Sequence, residues 1–330
     1  MPWQGPVRNL PPERLFVPAQ SRPRRSGRVI SPEPFSSGVP LTMDPIKALQ
    51  IALGVFVAFY LYTWFHGAQR KVSEGFPGPL DIFIGFITNF FDTLGIGSYA
   101  PTTAMFRAWK LVKDEWIPGT LNVGHTIPTI AQAFIFIGGV VVDPVTLVGM
   151  IGAAFVGAFF GAKMVASWSR HYIRIGMGSA LLAGAALFAA KNLGYIASKG
   201  EASGVEGGML VVAIVGNLLL GALMTIGIGL YAPCMLLVSF IGMNERAAFP
   251  IMMGSCAFLM TGATKPFVDK GSYSLKSALG LAVGGFPAVL IAAYIVKSLP
   301  LETLRWGVAA VVLYTGLSML HTAITDPKET

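Results

Sequence analysis

Nine apolar stretches follow one another along the chain, and each is long enough to cross the hydrocarbon core of a bilayer. A core of about 30 Å needs roughly 20 apolar residues. Charged residues make up only 12% of the 330, against about 25% in a soluble domain. The pattern predicts an all-α membrane protein, a polytopic helical bundle in the inner or plasma membrane. The stretches lie at 46–65, 81–112, 118–141, 145–167, 173–193, 208–240, 246–263, 275–297 and 302–322.

The net charge of +8 lies partly in the first 42 residues, which hold six arginines against two glutamates and nine of the 22 prolines. A Pro/Arg-rich segment of this kind cannot bury a core, so residues 1–42 are predicted to be disordered. They lack the apolar region of a secretory signal peptide, and Met43 is an alternative start of translation. Because much of the remaining positive charge lies in short loops, the charge does not indicate nucleic-acid binding.

Several functional classes leave no pattern in the sequence. The two cysteines, Cys234 and Cys256, give no disulfide framework, and the four histidines lie in no cluster that is typical of a metal site. No nucleotide-binding fingerprint is present, and neither paired carboxylates nor a serine–base pattern suggests an intramembrane enzyme. We therefore predict neither enzyme activity nor a cofactor.

Two of the apolar stretches, 81–112 and 208–240, are too long for one ordinary span, and they share a glycine-rich break. Residues 93–101 are Thr-Leu-Gly-Ile-Gly-Ser-Tyr-Ala-Pro and residues 225–233 are Thr-Ile-Gly-Ile-Gly-Leu-Tyr-Ala-Pro, identical at seven of nine positions at an offset of 132. Further along, Gly124-His125-Thr126 falls opposite Gly254-Ser255-Cys256. The chain is thus predicted to be an internal duplication, with an extra N-terminal helix and loop at 43–80, repeats at 81–207 and 208–322, and a tail at 323–330.

Repeated broken helices indicate the central binding site of a transporter. The glycines let the backbone unwind, and Pro101 and Pro233 suit the first turn of a new helix. Each restarting helix presents unpaired N–H groups and the positive end of its dipole, which attract an anion. The alternative, kinked helices that only pack, stays open. The predicted binding residues of the breaks are Gly95, Gly97, Tyr99, Pro101, Thr102, Thr103, Gly227, Gly229, Tyr231, Pro233 and Cys234.

Further binding residues are predicted at His125, Thr126, Ser255, Cys256 and Lys265. His125 is interpreted either as an anion ligand or proton carrier, because histidine titrates near neutral pH, or as a buried side chain bonded to a carbonyl. Lys265 either supplies charge at the mouth of an anion path or snorkels to the interface. Asp92, next to the first break, is a candidate for proton coupling. The paired tyrosines could gate a cavity or anchor the interface, and the cysteines could meet substrate or fill space.

The breaks resemble those of the sulfite exporter TauE/SafE (TSUP) family of membrane permeases. Members have two related halves, each with a glycine-rich break that ends in proline and a Gly-Thr-Ser-like motif on the following helix. Residues 95–101 and 227–233 look like the first feature, residues 124–126 and 254–256 look like the second, and the resemblance covers about residues 81–322. The chain departs from the pattern at Ser98-Tyr99, Leu230-Tyr231, His125 and Cys256. The resemblance implies transport, usually export, of sulfite, sulfonates or related small organic anions.

The topology leaves two alternatives. If each broken segment crosses once, the chain has nine crossings, and the basic loops predict a cytoplasmic N-terminus and an external C-terminus. If each broken segment is a re-entrant hairpin, the chain has seven crossings. Whether the repeats are parallel or inverted depends on this choice.

The sequence as a whole predicts a secondary transporter of a small anion such as sulfite or a sulfonate. Export is the simpler direction, because an inside-negative potential drives uncoupled anions outward. Without an ATP-binding motif, the energy must come from an ion gradient, the potential or the substrate gradient. The alternatives are a passive anion channel, an importer, and a membrane scaffold recruited through residues 1–42. Coupling to a proton or another ion, and assembly into a homo-oligomer, stay open.

Overall fold

The structure, a computed structural model, describes residues 44–69, 75–161, 169–195, 200–225 and 228–325. Within these ranges the chain is helical, and its single β-type contact is a bridge between Ala202 and Met243. The predicted all-α class is confirmed, whereas the predictions for residues 1–42, Gly227 and residues 326–330 lie outside the described residues. The α-helices are α1 Pro45–Gln69, α2 Pro79–Thr93, α3 Tyr99–Ala108, α4 Ile117–Gly139, α5 Pro144–Val156, α6 Arg170–Asn192, α7 Gly207–Met224, α8 Tyr231–Phe240, α9 Ala248–Asp269, α10 Leu275–Ser298 and α11 Leu301–Thr325.

The two long apolar stretches are interrupted where the glycines predict it, between α2 and α3 and between α7 and α8. Short-range chemistry sets other helix starts. Pro144 is the first residue of α5, and the Asp143 carboxylate accepts a bond from the Thr146 N–H at 2.8 Å, which is a standard N-cap. Helix α9 extends beyond the apolar stretch 246–263, through Pro266 to Asp269, so Lys265 lies within the helix.

Six helices among the described residues are long and apolar enough to cross a membrane, namely α1, α6, α7, α9, α10 and α11. Large apolar side chains such as Val55, Val211 and Leu290 are exposed on their surfaces, as is expected where lipid replaces water. The 23-residue α4 is not in this set, because His125 and Gln132, both fully buried, make its sequence more polar. These features are those of a multi-pass helical membrane protein.

Each broken segment turns back at its break. In the first, Phe106 of α3 lies in the same apolar cluster as Ile84 of α2 and Leu121 of α4, so α3 returns alongside α2. In the second, the Asn244 N–H, just after α8, donates to the Ala202 carbonyl, just before α7, at 2.9 Å. Both segments are therefore helical hairpins whose tips are the breaks.

Helices from the N-terminal half of the chain pack against helices from the C-terminal half. Helix α2 runs parallel to α10, since the Ser277 hydroxyl donates to Asp81 at 2.7 Å and Gly284 packs against the Ile82 backbone. Helix α7 packs in the same way on α5, where the Asn217 amide donates to the Met150 carbonyl at 2.7 Å. Each hairpin thus packs against a helix from the other half of the chain.

Helices α4 and α9 lie antiparallel at the centre of the bundle. Near the start of α4, the Asn122 side chain accepts a bond from Thr264, near the end of α9, at 2.9 Å. Near the end of α4, the Phe136 ring stacks on Phe249, near the start of α9, with centroids 5.3 Å apart. Helices α6 and α11 form a second pair, which touch at Gly178 and Gly316.

The closest of these helix contacts predicts a stability difference between two glycine substitutions. A Cβ atom added to Gly284 would lie 1.9 Å from the Ile82 carbonyl oxygen, whereas one added to Gly307 would meet nothing within 4 Å. We expect Gly284→Ala to lower the free energy of unfolding by about 1–3 kcal/mol and Gly307→Ala to raise it by about 0.5–1 kcal/mol. Thermal unfolding midpoints of the two purified variants check this, and equal midpoints would contradict the packing.

Candidate functional site

The tips of the two hairpins meet at one cavity in the middle of the bundle. Its volume is about 550 Å³, counting the part that is open to solvent. Most of the lining is apolar, with a few polar groups. The lining residues, which define the central cavity, are Asp92, Ile96, Gly97, Ser98, Tyr99, Thr129, Met224, Ile228, Gly229, Leu230, Tyr231, Ala232, Cys256, Met260 and Thr315.

The breaks follow from local backbone chemistry. Gly95 has a φ of +102° and Gly97 a φ of +90°, conformations that favour glycine. The Ile96 N–H bonds back to the Phe91 carbonyl at 3.1 Å, and together with the Gly95 conformation this closes α2 with a Schellman-type cap. The same long bond recurs in the second break, from the Ile228 N–H to the Leu223 carbonyl at 3.2 Å.

Both restarting helices begin at the cavity. Helix α3 starts at Tyr99 and α8 at Tyr231, and a proline is the third residue of each. Tyr99 and Tyr231 line the cavity together with Ser98 and Leu230, the residues just before them. The positive ends of two helix dipoles are therefore directed at the same space.

A polar cluster, made of Asp92, Gln132 and Tyr231, closes one wall of the cavity. The Gln132 amide donates to the Asp92 carboxylate at 2.9 Å and to the Thr93 hydroxyl at 2.8 Å. The Tyr231 hydroxyl faces two acceptors, the Gln132 carbonyl oxygen at 3.1 Å and the Asp92 carboxylate at 3.4 Å. Asp92 is only 3% exposed and Gln132 is fully buried, so the cluster joins the two hairpins in a place of low dielectric.

Two hydroxyl groups of the lining have no partner. The Tyr99 hydroxyl lies near Asn122 without a hydrogen bond, and the Thr315 hydroxyl is likewise buried and unpaired. Buried polar groups are nearly always hydrogen-bonded in folded proteins. Both hydroxyls are therefore available to a molecule that enters the cavity.

The second repeated motif, at residues 124–126 and 254–256, makes polar contacts with the first helix of each hairpin. His125 is fully buried, with one ring nitrogen 3.0 Å from the Asn89 side-chain oxygen and the other 3.0 Å from the Thr102 hydroxyl. In the other hairpin, one helical turn before the position that matches Asn89, the Asn217 amide donates to the Ser255 hydroxyl at 3.1 Å. In both halves an asparagine of the first hairpin helix is thus fastened to the middle residue of the motif.

The structure brings only some of the predicted site residues to the cavity. Gly97, Tyr99, Gly229, Tyr231 and Cys256 line it. Among the other described residues, Lys265 is half exposed and forms a surface ion pair with Asp269, which fits the alternative that it snorkels to the interface. The predicted residues that do not line the cavity are Gly95, Pro101, Thr102, Thr103, His125, Thr126, Pro233, Cys234, Ser255 and Lys265.

Sequence reasoning missed four polar contributors, Ser98, Thr129, Gln132 and Thr315. Gln132 was the easiest to find, because a polar amide inside the apolar stretch 118–141 is itself a signal of function. Thr129 and Thr315 carry no such signal, because threonine is common in apolar helices and neither residue belongs to a repeated motif.

The electrostatics of the cavity are unusual for an anion site. The described lining residues include one carboxylate, that of Asp92, and no Lys, Arg or His. Any anion would therefore be held by backbone N–H groups and hydroxyls, with no full positive charge near it. The single carboxylate and the lack of basic residues in the described lining therefore limit what the cavity can bind.

The two matched tyrosines provide a test of the polar cluster. Tyr231→Phe removes a hydroxyl that bonds to Gln132, and we expect it to lower the free energy of unfolding by about 0.5–1.5 kcal/mol. Tyr99→Phe removes a hydroxyl without a partner and is expected to change stability by much less. Thermal unfolding of the two ligand-free variants compares them directly. A larger loss for Tyr99→Phe would show that the cluster is wrongly assigned.

Comparisons with known proteins add no family to this geometry. A scan against protein-family models, a search of curated proteins and a search of solved structures find no match for the chain. The assignment of a function therefore depends on the cavity, the hairpins and the residues that they bring together.

Proposed function

We propose that the protein is a secondary transporter of a small anion, which binds in the central cavity between the two hairpin tips. The observation that carries the proposal is the meeting of two similar helix breaks, far apart in sequence, at one largely buried cavity. Irregular backbone at membrane depth is tolerated where it is buried in protein or lines a cavity. Discontinuous helices at the interface of two repeats are typical of secondary transporters.

The order of the helices supports two repeats. Helices α3, α4, α5 and α6 begin at residues 99, 117, 144 and 170, and helices α8, α9, α10 and α11 begin at 231, 248, 275 and 301. A pseudo-twofold axis would relate α4 to α9. Because these two helices touch and run antiparallel, that axis must lie across them, in the membrane plane. We therefore propose inverted repeats, with seven crossings and two re-entrant hairpins.

The anionic substrate is proposed from the groups that surround the cavity. Two helix N-termini and two unpaired hydroxyls supply hydrogen-bond donors, and helix N-termini are suited to anions. The resemblance of the breaks to those of the sulfite exporter family suggests sulfite, a sulfonate or a related organic anion. Uncoupled movement of such an anion is outward under an inside-negative potential, so export is the direction that we propose.

An asymmetry between the hairpins supports alternating access. Helices α6 and α11 pack against α8, and Ala232 in its first turn is 2% exposed. In the described part of the chain, α6 and α11 do not cover α3 to a comparable extent. Ala100 of α3, which matches Ala232 of α8, is exposed. If the halves are equivalent in sequence, a second state with α3 covered and α8 exposed is accessible. A passive channel would need both sides open at once.

Anion binding predicts a stabilisation that depends on the cavity hydroxyls. Purified protein is heated with sulfite, methanesulfonate, sulfate or chloride, and we expect at least one oxyanion to raise the unfolding midpoint. Saturation at 100 times the dissociation constant corresponds to about 2.7 kcal/mol. Thr315→Val should reduce the shift and Thr103→Val, outside the cavity, should not. A folded protein that no anion stabilises would count against the proposed substrate class.

Alternating access predicts different reactivity of two introduced cysteines. In a background of Cys234→Ala and Cys256→Ala, the variants Ala100→Cys and Ala232→Cys place a thiol at the same position of each hairpin. A membrane-impermeant thiol reagent should modify the first faster, because access controls thiol reactivity. A bound anion that shifts the equilibrium should change the two rates in opposite directions. Equal rates that no anion alters would contradict an alternating mechanism.

A further inference from the structure

We propose that Asp92 is the proton-binding residue of the central cavity, and that a monovalent anion crosses the protein together with one proton. The inference rests on the proposed function, because it concerns the same cavity and the same substrate. It adds the coupling ion. Because an anion that moves with one proton carries no net charge, the direction of movement then follows the combined anion and proton gradients, and the membrane potential no longer favours export.

The position of Asp92 makes its charge part of the binding site. It lies in the last turn of α2, lines the cavity and is 3% exposed. Gln132 donates to its carboxylate at 2.9 Å, and Ser98, at the start of α3, contacts the same carboxylate. The negative charge of Asp92 therefore lies at the helix start that would otherwise attract the substrate.

No described positive charge in the cavity compensates Asp92. The titratable groups that face it are the hydroxyls of Tyr99 on α3 and Tyr231 on α8 and the thiol of Cys256 on α9, and all three are neutral when protonated. The nearest histidine, His125, is held between Asn89 and Thr102 outside the lining. A carboxylate and a bound anion would repel each other strongly in this buried place.

A proton removes that repulsion. When the anion enters, one proton from the water on the same side adds to the Asp92 carboxylate and forms an O–H bond. The neutral carboxylic acid is then a donor and can bond to an oxygen of the anion. On release to the other side the O–H bond breaks and the proton leaves with the anion. The loaded and empty cavities therefore carry the same net charge.

Tyr231 connects this proton to the contact between the hairpins. Its single hydroxyl proton can bond to the Gln132 oxygen, 3.1 Å away, or to the Asp92 carboxylate, 3.4 Å away. Protonation makes the Asp92 carboxyl group a weaker acceptor, so the Tyr231 hydroxyl then bonds to the Gln132 oxygen. The charge of Asp92, on the first hairpin, thus changes the hydrogen bonding of Tyr231, on the second.

The test measures sulfonate and proton movement together in liposomes that contain the purified protein. Radiolabelled methanesulfonate is the probe, because its own charge does not change with pH. A pH-sensitive dye inside the vesicles reports protons, and a potassium gradient with valinomycin sets the potential. For the unsubstituted protein we expect one proton per sulfonate, faster entry with acid outside, and no response to the potential. Sulfonate movement without protons would overturn the proposal and leave the transporter assignment intact.

Asp92→Asn should move sulfonate without protons and become dependent on the potential. One uncompensated charge corresponds to about tenfold accumulation per roughly 60 mV. The matched control is Asp143→Asn, since that carboxylate caps α5 outside the cavity and asparagine caps a helix equally well. It should keep one proton per sulfonate. If Asp92→Asn does not fold, the proton-to-sulfonate ratio of the unsubstituted protein decides.

Two further outcomes separate the proposals. Loss of proton movement in His125→Gln, with proton movement retained in Asp92→Asn, would assign the proton to His125 and overturn the inference. Absence of sulfonate movement in the unsubstituted protein, with no anion that stabilises it against heat, would overturn the proposed function itself and the proton site with it.

Discussion

Two helices stop and restart inside the bundle, and the rest of the fold keeps their unpaired backbone groups away from lipid. A free N–H or carbonyl in hydrocarbon costs several kcal/mol, so each break needs protein around it. Each hairpin is covered by a helix from the other half of the chain, since α10 packs on α2 and α5 packs on α7. Both tips are thereby forced to the middle, where they face each other across the cavity. A binding site between the breaks is a consequence of covering them.

The interior of such a bundle also has to satisfy its polar side chains, and two asparagines show how it does so. Asn89 bonds to His125 and Asn217 to Ser255, so each first hairpin helix is fixed to α4 or α9 by the same kind of link. The partners differ in chemistry, and Asn217 lies one helical turn earlier in its helix than Asn89 does. We infer that the motif at 124–126 and 254–256 positions the hairpins, and that only Cys256 reaches the cavity.

Much of the fold could be predicted because hydrophobic length and glycine-proline breaks are local signals. The path of each segment could not, since hydropathy is the same for a span and for a hairpin of equal length. The Ala202–Met243 bridge, which brings the two ends of the second segment together, joins residues far apart in sequence. The sequence predicts those residues of the site that belong to the two repeated breaks. Thr315 lines the cavity and Gln132 bonds to Asp92, and neither belongs to a repeated motif. Lys265 lies at the surface, which fits its snorkelling alternative.

A carrier has to release what it binds, and this requirement gives the absence of basic residues in the described lining a physical reason. A lysine or arginine buried beside an anion would form a charge-assisted pair that is costly to break. Helix N-termini and hydroxyls such as that of Thr315 bind more weakly and carry no net charge. The single carboxylate of Asp92 weakens binding further, unless it is neutralised. In the mechanism that we propose, affinity then depends on one proton, which Asp92 gains on one side of the membrane and loses on the other.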